Sequence, residues 1–439
     1  MKSPFSFRGD IGRVAYGFAS VAAFFLQHAF AYGVFLFKGV SLDVPWWFWL
    51  SPLRALAGKV GLGSDWLLLL GLVVALIVMW ALLALSYRRS RNTGSDASWI
   101  LLVIVPGLQL LVIAWLSWLP ESKRETTPDT AGLGSNTRNV ALGLLAGAAL
   151  CLAAVALSTL VLGIYGYGLF IASPFVIGAT VAAMVNRPAM LGLRRTTLLV
   201  MGALGLGALV VAGFALEGTI CLLLASPLIA FMGFLGALVG RSLAQGRQYT
   251  PLSVALLPLL LAAEALAPPR ADFESVESVD IAAAPAAVWD SVVHMGPIPD
   301  APAVPFRWGL AYPLRGEISG SGVGAVRRGV FSTGVAYERV VTWVPERQLF
   351  FIVLSDPPSM RELSPYAHVN APHVQSYFRT RDARFTITPL ADGRTRLTLA
   401  THHDLDLEPA LYWLPLAHWA VHANKVRVLR HFRQQAEAR

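Results

Sequence analysis

The chain changes from a strand pattern to a helix pattern within one short stretch, VDIAAAPAAVWDSVV, Val279 to Val293. Val276, Val279 and Ile281 lie among acids and serines, which is typical of a half-buried strand. Pro285 then occupies the position of a first helical turn, where a missing N–H is tolerated. Apolar residues follow at helical spacing: Val288, Trp289, Val292 and Val293. The chain before this stretch is apolar like a membrane protein, and the chain after it has the pattern of one soluble domain.

The soluble part alternates between apolar and polar residues. Phe385 and Ile387 alternate with polar neighbours, and the run from Leu397 to His403 does the same, so we expect a sheet with one apolar and one wet face. A long helix is predicted at about 409–435. A Pro-rich insertion, Asp356 to Thr380, interrupts the strands, and its Arg361, Glu362 and His373 are a loose group that could orient a ligand.

These pieces resemble the START-like, polyketide-cyclase-like superfamily in order and spacing. The resemblance starts at AAPAAVW (Ala283 to Trp289) and continues in YERVVTWVPERQLFFIV (Tyr337 to Val353), which is similar to the central hairpin. DGRTRLTL (Asp392 to Leu399) is similar to the last hairpin, and the long helix completes the pattern. The resemblance covers about 273–439. It implies a helix-grip fold, with a curved antiparallel sheet around the helix and a pocket between them.

Composition indicates an integral membrane protein. The chain is 55% hydrophobic and 14% charged, against about 25% charged residues in soluble domains. Residues 1–269 contain 17 Lys+Arg and 9 Asp+Glu, a net +8, whereas 270–439 contain 18 and 17, a net +1. The basic excess therefore belongs to membrane-flanking loops, and we expect no nucleic-acid partner. Cys151 and Cys221 lie in apolar segments and predict no disulfide framework.

Seven or eight apolar segments precede the soluble domain: 14–37, 65–86, 98–118, 140–163, 167–185, 197–216, 219–240 and 251–267. They predict an N-terminal membrane module at 1–120, a linker at 121–139, a second membrane module at 140–268 and a START-like domain at 273–439. The third segment is broken at Pro106-Gly107. It crosses the bilayer or turns back there.

The first module also resembles a known family. Phe7-Arg8-Gly9 with Arg13, then YRRSRNTGSDASWILLVIVP (Tyr87 to Pro106), is similar to small bacterial inner-membrane proteins of unknown function. The match covers about 5–120 and implies residence in the bacterial inner membrane.

The second module contains an internal repeat. LFIASP (Leu169 to Pro174) matches LLLASP (Leu222 to Pro227), which predicts a duplicated helical hairpin with a proline in the second helix of each copy. Such helices form transport sites in some proteins. Alternatively, the proline is a common feature of membrane helices, and Ser173 or Ser226 satisfies the freed backbone. Glu217 and Glu264 are the acids within or beside these later spans.

Candidate ligand-binding residues come from the predicted pocket, with aromatic walls and a few polar groups. They are Trp289, Phe306, Trp308, Arg327, Phe331, Trp343, Phe351, Tyr377, His403, Trp413, His418 and His422. His418 and His422 share a helix face, and His403 points to the apolar sheet face by alternation. The three lack a recognised metal motif, so we expect no metal. No GxSxG elbow or phosphate loop is present, and we expect no cofactor and name no catalytic residue.

Three functions fit this pattern. The first is a membrane-tethered domain that binds a lipid or other apolar ligand and exchanges it with the bilayer. The second is a ligand sensor or interaction protein that gates the membrane part. The third is a cyclase- or hydrolase-like enzyme in which His403, His418 or Arg327 acts as acid or base. The positive-inside rule favours the outer, periplasmic face of the inner membrane for the domain, with segment 98–118 turning back. If that segment crosses, the domain lies on the cytoplasmic face and the basic residues are divided less clearly between the two sides.

Overall fold

The computed structural model describes residues 4–7, 9–39, 46–49, 52, 65–93, 97–121, 135–245, 252–266, 270–362 and 377–438. His373 and most of the predicted linker lie outside these ranges. The chain forms two compact units. One contains most of the chain up to Ala262. The other contains most of the chain from Ala263 onward, together with Gly163–Phe170.

The helical unit is built from eight helices in the described ranges. They are α1 Arg13–Lys38, α2 Asp65–Thr93, α3 Leu108–Trp118, α4 Ser135–Val155, α5 Ser173–Asn186, α6 Leu193–Gly213, α7 Thr219–Gln245 and α8 Leu252–Ala265. A π-helical turn, Ala156–Leu162, extends α4, and another, Gly168–Ala172, precedes α5. Within the described residues, six helices are long and apolar enough to span a membrane, slightly fewer than the seven or eight predicted segments. The 11-residue α3 and the 14-residue α8 are not among the six, whereas α5 reaches 19 residues together with the π-helical turn before it.

The third apolar segment turns back on itself. It begins as a 3₁₀ helix, Ala97–Ile104, and bends at Gly107, whose φ is 87°, before α3 starts. Arg89, near the end of α2, donates to the carbonyls of Leu116 and Leu119 at 3.1 and 2.6 Å. The segment therefore starts just after the end of α2 and returns to that same end. A tight turn at Pro106-Gly107 separates its two short helices.

The repeated helices pack against each other through glycines. A Cβ on Gly236 of α7 would lie 2.1 Å from the Phe175 carbonyl oxygen, and one on Gly240 would lie 2.0 Å from that of Ala179. Such close approach requires small residues. Pro227 inside α7 cannot bond to the Leu223 carbonyl, and the Ser226 hydroxyl donates to that oxygen instead, at 2.8 Å. The repeat therefore has a structural explanation at this proline.

The second unit is a seven-stranded antiparallel sheet with a long helix. The strands are β1 Ala271–Ile281, β2 Pro313–Ser319, β3 Val326–Phe331, β4 Gly334–Val344, β5 Gln348–Ser355, β6 Phe378–Pro389 and β7 Thr395–Leu405. Their order in the sheet is β1-β7-β6-β5-β4-β3-β2. The helices are α9 Pro285–Val293, the short α10 Val304–Arg307 and the long α11 Ala410–Glu437. This is the helix-grip arrangement predicted from the sequence.

The opening stretch folds as its pattern predicts, with one difference. Pro285 lies in the first turn of α9, and Ile281 and Val288 are fully buried. Val276, however, is 53% exposed. It lies on the opposite face of β1 from Ile281 because side chains alternate along a strand. Ser275 and Glu277 share the inner face instead.

The long helix turns one stripe toward the sheet. Leu429, Phe432 and Ala436 are buried in the core, and Phe432 packs edge-on against Phe385 at 5.6 Å. The C-terminal half of α11 therefore seals its half of the sheet with apolar contacts. Lys425 lies one turn earlier on this same stripe and is 4% exposed. The inner surface consequently changes from apolar to polar along the helix.

Candidate functional site

A buried polar cluster lies at the inner face where β6, β7 and β1 meet. Thr401 and His403 both point inward, two residues apart on β7. The Thr401 hydroxyl lies 2.7 Å from His403 Nε2, and the Thr380 hydroxyl of β6 lies 3.2 Å from Nδ1. A neutral imidazole has one donor and one acceptor, so the two hydroxyls satisfy both ring nitrogens.

Aromatic rings enclose this histidine. Phe273 of β1 and Phe378 of β6 stack against the imidazole of His403, with ring centroids 5.0 and 5.2 Å from its own. Burial, together with the positive charge of the nearby Lys425, lowers the pKa of His403 to about 3. The imidazole is therefore neutral at physiological pH and presents a polar, uncharged edge.

Lys425 supplies the charge of the cluster. Its ammonium group donates to the carbonyl of Leu399 at 3.0 Å and to the carbonyl of Ser275. Burial lowers the pKa of Lys425 to about 8, whereas Glu277 and Glu274 act to raise it. It remains mostly protonated at pH 7, so a cation lies inside the domain.

Asp356 adds an acid at the edge of the cluster. It follows β5 directly, and its carboxylate accepts the Thr380 N–H at 2.9 Å. Burial raises the pKa of Asp356 to about 6, the Thr380 hydrogen bond opposes the shift, and the charge of Glu338 contributes to it. Thr380 therefore contacts both groups, because its backbone N–H binds Asp356 and its hydroxyl binds His403.

Arg327 belongs to a separate buried ion pair. Its guanidinium binds the Glu338 carboxylate on β4 and lies 4.5 Å from the centroid of the Phe351 ring. Burial raises the pKa of Glu338, against the effect of Arg327. The guanidinium of Arg327 is therefore already bound by a carboxylate of the neighbouring strand β4.

Several predicted cavity aromatics are packed in the core. Trp289 and Trp343 pack edge to face with ring centroids 5.3 Å apart, and the ring centroids of Phe351 and Phe385 are 6.2 Å apart. Phe306 is buried and stacks on Trp419 at 5.7 Å. Phe331 lies at the end of β3, and Trp308 is 59% exposed.

Tyr377 and Trp413 contact the segment Gly163–Phe170, which belongs to the same compact unit. The Tyr377 hydroxyl donates to the Gly163 carbonyl, and its ring meets that of Tyr165 at 5.0 Å. Trp413 meets Phe170 at 5.1 Å, and its buried Nε1 has no hydrogen-bond partner. These two aromatics therefore link the site to a loop between two apolar helices. Glu264 holds that loop, because its carboxylate accepts the Gly168 N–H at 2.8 Å.

The three histidines do not converge. Phe273 lies between His403 and His418, with its ring 4.2 Å from that of His418. His422 pairs with Glu277 at 2.5 Å. Within the ranges that the structure describes, no three His, Cys, Asp or Glu side chains are grouped as metal ligands.

A surface cleft of about 480 Å³ lies between the edge strand β1 and the end of α11. Its arginines are engaged by carboxylates. Arg396 binds Asp280 through two hydrogen bonds of 2.7 and 3.0 Å, and Arg433 binds Glu437 at 3.1 Å. The cleft therefore offers paired rather than free charge.

The sequence analysis did not select Lys425, Asp356 or Phe273. Lys425 had a detectable signal, because it occupies a position of the apolar stripe that continues as Leu429 and Phe432. Phe273 alternates with the acids of β1 and could have been found by the same period that placed His403. Asp356 is the first residue after a strand and shows no such pattern.

Comparison with known proteins divides the chain in two. Residues 4–127 match a family described as "Protein of unknown function (DUF805)". No curated protein matches the chain. A START superfamily protein from Mycobacterium smegmatis is 15% identical, with a TM-score of 0.25 over 38% of this chain and 97% of its own. A protein from Mesorhizobium loti is 16% identical, with a TM-score of 0.24 over 38% and 98%. Truncated norcoclaurine synthase from Thalictrum flavum is 12% identical, with a TM-score of 0.23 over 37% and 94%.

The similar structures correspond to the C-terminal region of the chain, and the matching family to its N-terminal helices. Residues 4–127 are thus similar to a family of unknown function, and the sheet and long helix of the C-terminal domain form a helix-grip fold.

Proposed function

We propose that this chain is a multi-pass membrane protein whose START-like domain binds a lipid or similar apolar ligand. The observation that carries the proposal is the division of the inner surface along α11. Leu429 and Phe432 seal one half with apolar contacts, whereas His403, Thr401 and Lys425 place polar groups in the other. Ligand sites typically combine apolar walls with a few convergent polar groups.

The polar half also has the aromatic surfaces that an apolar ligand requires. Phe273 and Phe378 lie against His403, and the buried Trp413 has an unpartnered indole N–H. An unpartnered buried donor is costly, and a ligand oxygen could satisfy it. We infer that the acyl chain lies along the aromatic rings and the head group lies near His403.

Attachment to the membrane favours a lipid over a water-soluble ligand. Helix α8 ends at Ala265 and β1 begins at Ala271. The six intervening steps span at most about 22 Å of extended chain. The domain therefore stays near the bilayer, where a membrane-dissolved ligand is present at high effective concentration.

A pair of substitutions on β7 tests the proposal. Thr401 points inward and is buried, whereas Thr398 points to the opposite face of the same strand. Phenylalanine at Thr401 fills the proposed site, and Thr398→Phe introduces the same side chain outside it. The full chain is purified in mild detergent, and retained lipids are quantified by mass spectrometry.

We expect one lipid species at about one copy per chain in the wild type and in Thr398→Phe, and its loss in Thr401→Phe. Lipids around the helices should be the same in all three proteins. A lipid profile identical in all three, with unchanged melting midpoints, would refute the proposed site. Unfolding of Thr401→Phe would be recognised from its midpoint, and Thr401→Leu then replaces it.

A sensor function is the second candidate, and the contacts of Gly163–Phe170 favour it. This loop joins two apolar helices and touches Trp413 and Tyr377. A ligand near Trp413 would displace Phe170. Phe170→Ala should then change ligand affinity, measured by the same lipid retention, whereas a passive carrier would be unaffected.

We also propose that the domain lies on the outer face of the bacterial inner membrane. The re-entrant third segment supports this assignment, because it leaves an odd number of crossings if α8 crosses. The loop Gly163–Phe170 has no Lys or Arg, as expected of an outer loop, and it belongs to the same compact unit as the domain.

A further inference from the structure

Lys425 is the only lysine between Ala263 and Arg439, where the other basic residues are arginine or histidine. It is 4% exposed and lies on the stripe of α11 that faces the sheet. Arginine is the usual choice for a buried ion pair, because its planar fork matches a carboxylate. A lone lysine in this position indicates a different use for the charge.

The hydrogen bonds of Lys425 leave its charge without a direct counter-ion. Its two acceptors, the carbonyls of Ser275 and Leu399, are neutral. A buried charge is costly unless it is paired. An ammonium group has three donors, so one remains for a further acceptor.

The carboxylates nearest to Lys425 bind other partners. Glu277 faces Lys425 from β1 but pairs with His422 of α11 at 2.5 Å. Glu274 lies on the outer face of β1, 3.6 Å from His402. His403 on β7 is neutral, and the nearby Arg381 is bound by Asp404 at 2.9 Å. Within the described residues, no carboxylate forms an ion pair with Lys425, so its ammonium group has no direct counter-ion.

We propose that the apolar ligand of this domain has an anionic head group, a carboxylate or a phosphate, that binds the ammonium group of Lys425. This inference rests on the proposed lipid-binding function. The third donor of Lys425 binds the anion, and the inward-facing hydroxyl of Thr401, two residues after Leu399 on β7, contributes a hydrogen bond. Binding supplies the counter-ion that the protein lacks and so favours a charged lipid over a neutral one of equal length.

The test compares single-chain probes that differ only in their head group. The full chain in nanodiscs is labelled with a photoactivatable fatty acid, a monoalkyl phosphate or a fatty alcohol of the same chain length. Peptides of the C-terminal domain are then quantified by mass spectrometry at pH 7. Unlabelled competitors give the relative affinities, and Lys425→Met is compared with Arg430→Met, which removes an exposed cation of the same helix.

We expect wild type and Arg430→Met to bind at least one anionic probe about tenfold tighter than the alcohol, and Lys425→Met to bind them equally. The acid and phosphate arms identify which anion is preferred. Equal binding of all probes by the wild type, or an unchanged preference in Lys425→Met, would overturn the inference while leaving lipid binding intact. Labelling of the domain by none of the probes would instead refute the proposed function.

A second readout uses pH. The monoalkyl phosphate stays anionic from pH 7 to 9.5, whereas Lys425 loses its proton as the pH rises through its own pKa. The preference for phosphate over alcohol should therefore decline in the wild type across this range. Glu277 of β1 and His422 of α11 also face this site, and His403, whose pKa is about 3, stays neutral across the whole range. A preference independent of pH would contradict the role of Lys425.

Discussion

Lys425 lowers the stability of the fold around it while its site is empty. Its pKa falls to about 8 in the folded state, below the usual 10.5. The unfolded chain therefore binds more protons between these two values, and the free energy of unfolding rises with pH across that window. Below pH 8 both states are charged, and the penalty is fully present.

Lys425→Met should therefore stabilise the domain at pH 7 and remove this pH dependence. From pH 8 to 9.5 the wild type should gain about 2 kcal/mol, at about 1.4 kcal/mol per unit, whereas the variant should gain little. Thermal unfolding of the full chain in detergent, followed by near-ultraviolet circular dichroism, measures both curves. A variant less stable than wild type at pH 7 would mean that the hydrogen bonds of Lys425 outweigh its burial.

His403 makes the free energy of unfolding fall as the solution becomes acidic. Its pKa is about 3 when folded and 6.5 when exposed, so the unfolded state binds more protons as the pH falls below 6.5. The wild type should lose stability on acidification, and His403→Asn should lose less. Because the pKa of Asp356 is raised to about 6, its contribution changes in the opposite direction. The difference between wild type and variant removes that shared contribution. Parallel pH curves for the two proteins would exclude a buried neutral histidine.

These residues show what a sequence pattern can specify. Alternation along β7 placed His403 on the inner face, and the structure confirms it. Val276 was grouped with Val279 and Ile281 as part of a half-buried strand, but it lies on the outer face of β1. The acids and serines between these apolar residues obscured the alternation. Hydrogen-bonded residues such as Thr380 and His403 lie on different strands and are 23 residues apart in the sequence. Only the folded sheet, with its bulge at Thr380/Asp382, brings them together.

At the scale of elements, the contact between α5 and α7 depends on glycines. Gly236→Ala places a methyl group against the Phe175 carbonyl, where the backbone must move. Gly205→Ala is the matched control, since its Cβ would have no atom within 4 Å in the exposed part of α6. We expect the first variant to lower the melting midpoint of the helical unit and the second to leave it unchanged or raise it, because alanine favours helix. Equal midpoints for the two variants would rule out close packing here.

The elements also mark the limit of hydropathy patterns. The repeat LFIASP and LLLASP identified two related helices, but only the structure shows that these two pack on each other. Pro106-Gly107 signalled a break in the third segment. The return of α3 to Arg89 is a long-range contact, because Leu116 lies 27 residues further along the chain. A hydropathy profile alone could not distinguish that return from a crossing.

At the scale of the whole molecule, the turn in the third apolar segment bears on the side of the membrane that we propose for the C-terminal domain. Arg89 binds the carbonyls at the end of α3, and the backbone N–H of Arg13 lies 3.3 Å from Glu121. The start of α1, the end of α2 and the end of α3 therefore lie at the same end of the helical unit. Seven crossings then follow if α8 crosses: α1, α2, α4, α5, α6, α7 and α8.

This count places fourteen Lys and Arg of residues 1–269 on one side and three on the other. The positive-inside rule assigns the fourteen to the cytoplasm, and on this basis we propose that the domain after α8 lies outside. Alkaline phosphatase fused after Arg439 should be active, and a fluorescent protein that matures only in the cytoplasm should stay dark there. A fusion after Arg247, in a basic loop, is the control and should give the reverse result. Fluorescence at Arg439 would place the domain in the cytoplasm and exclude the seven-crossing arrangement.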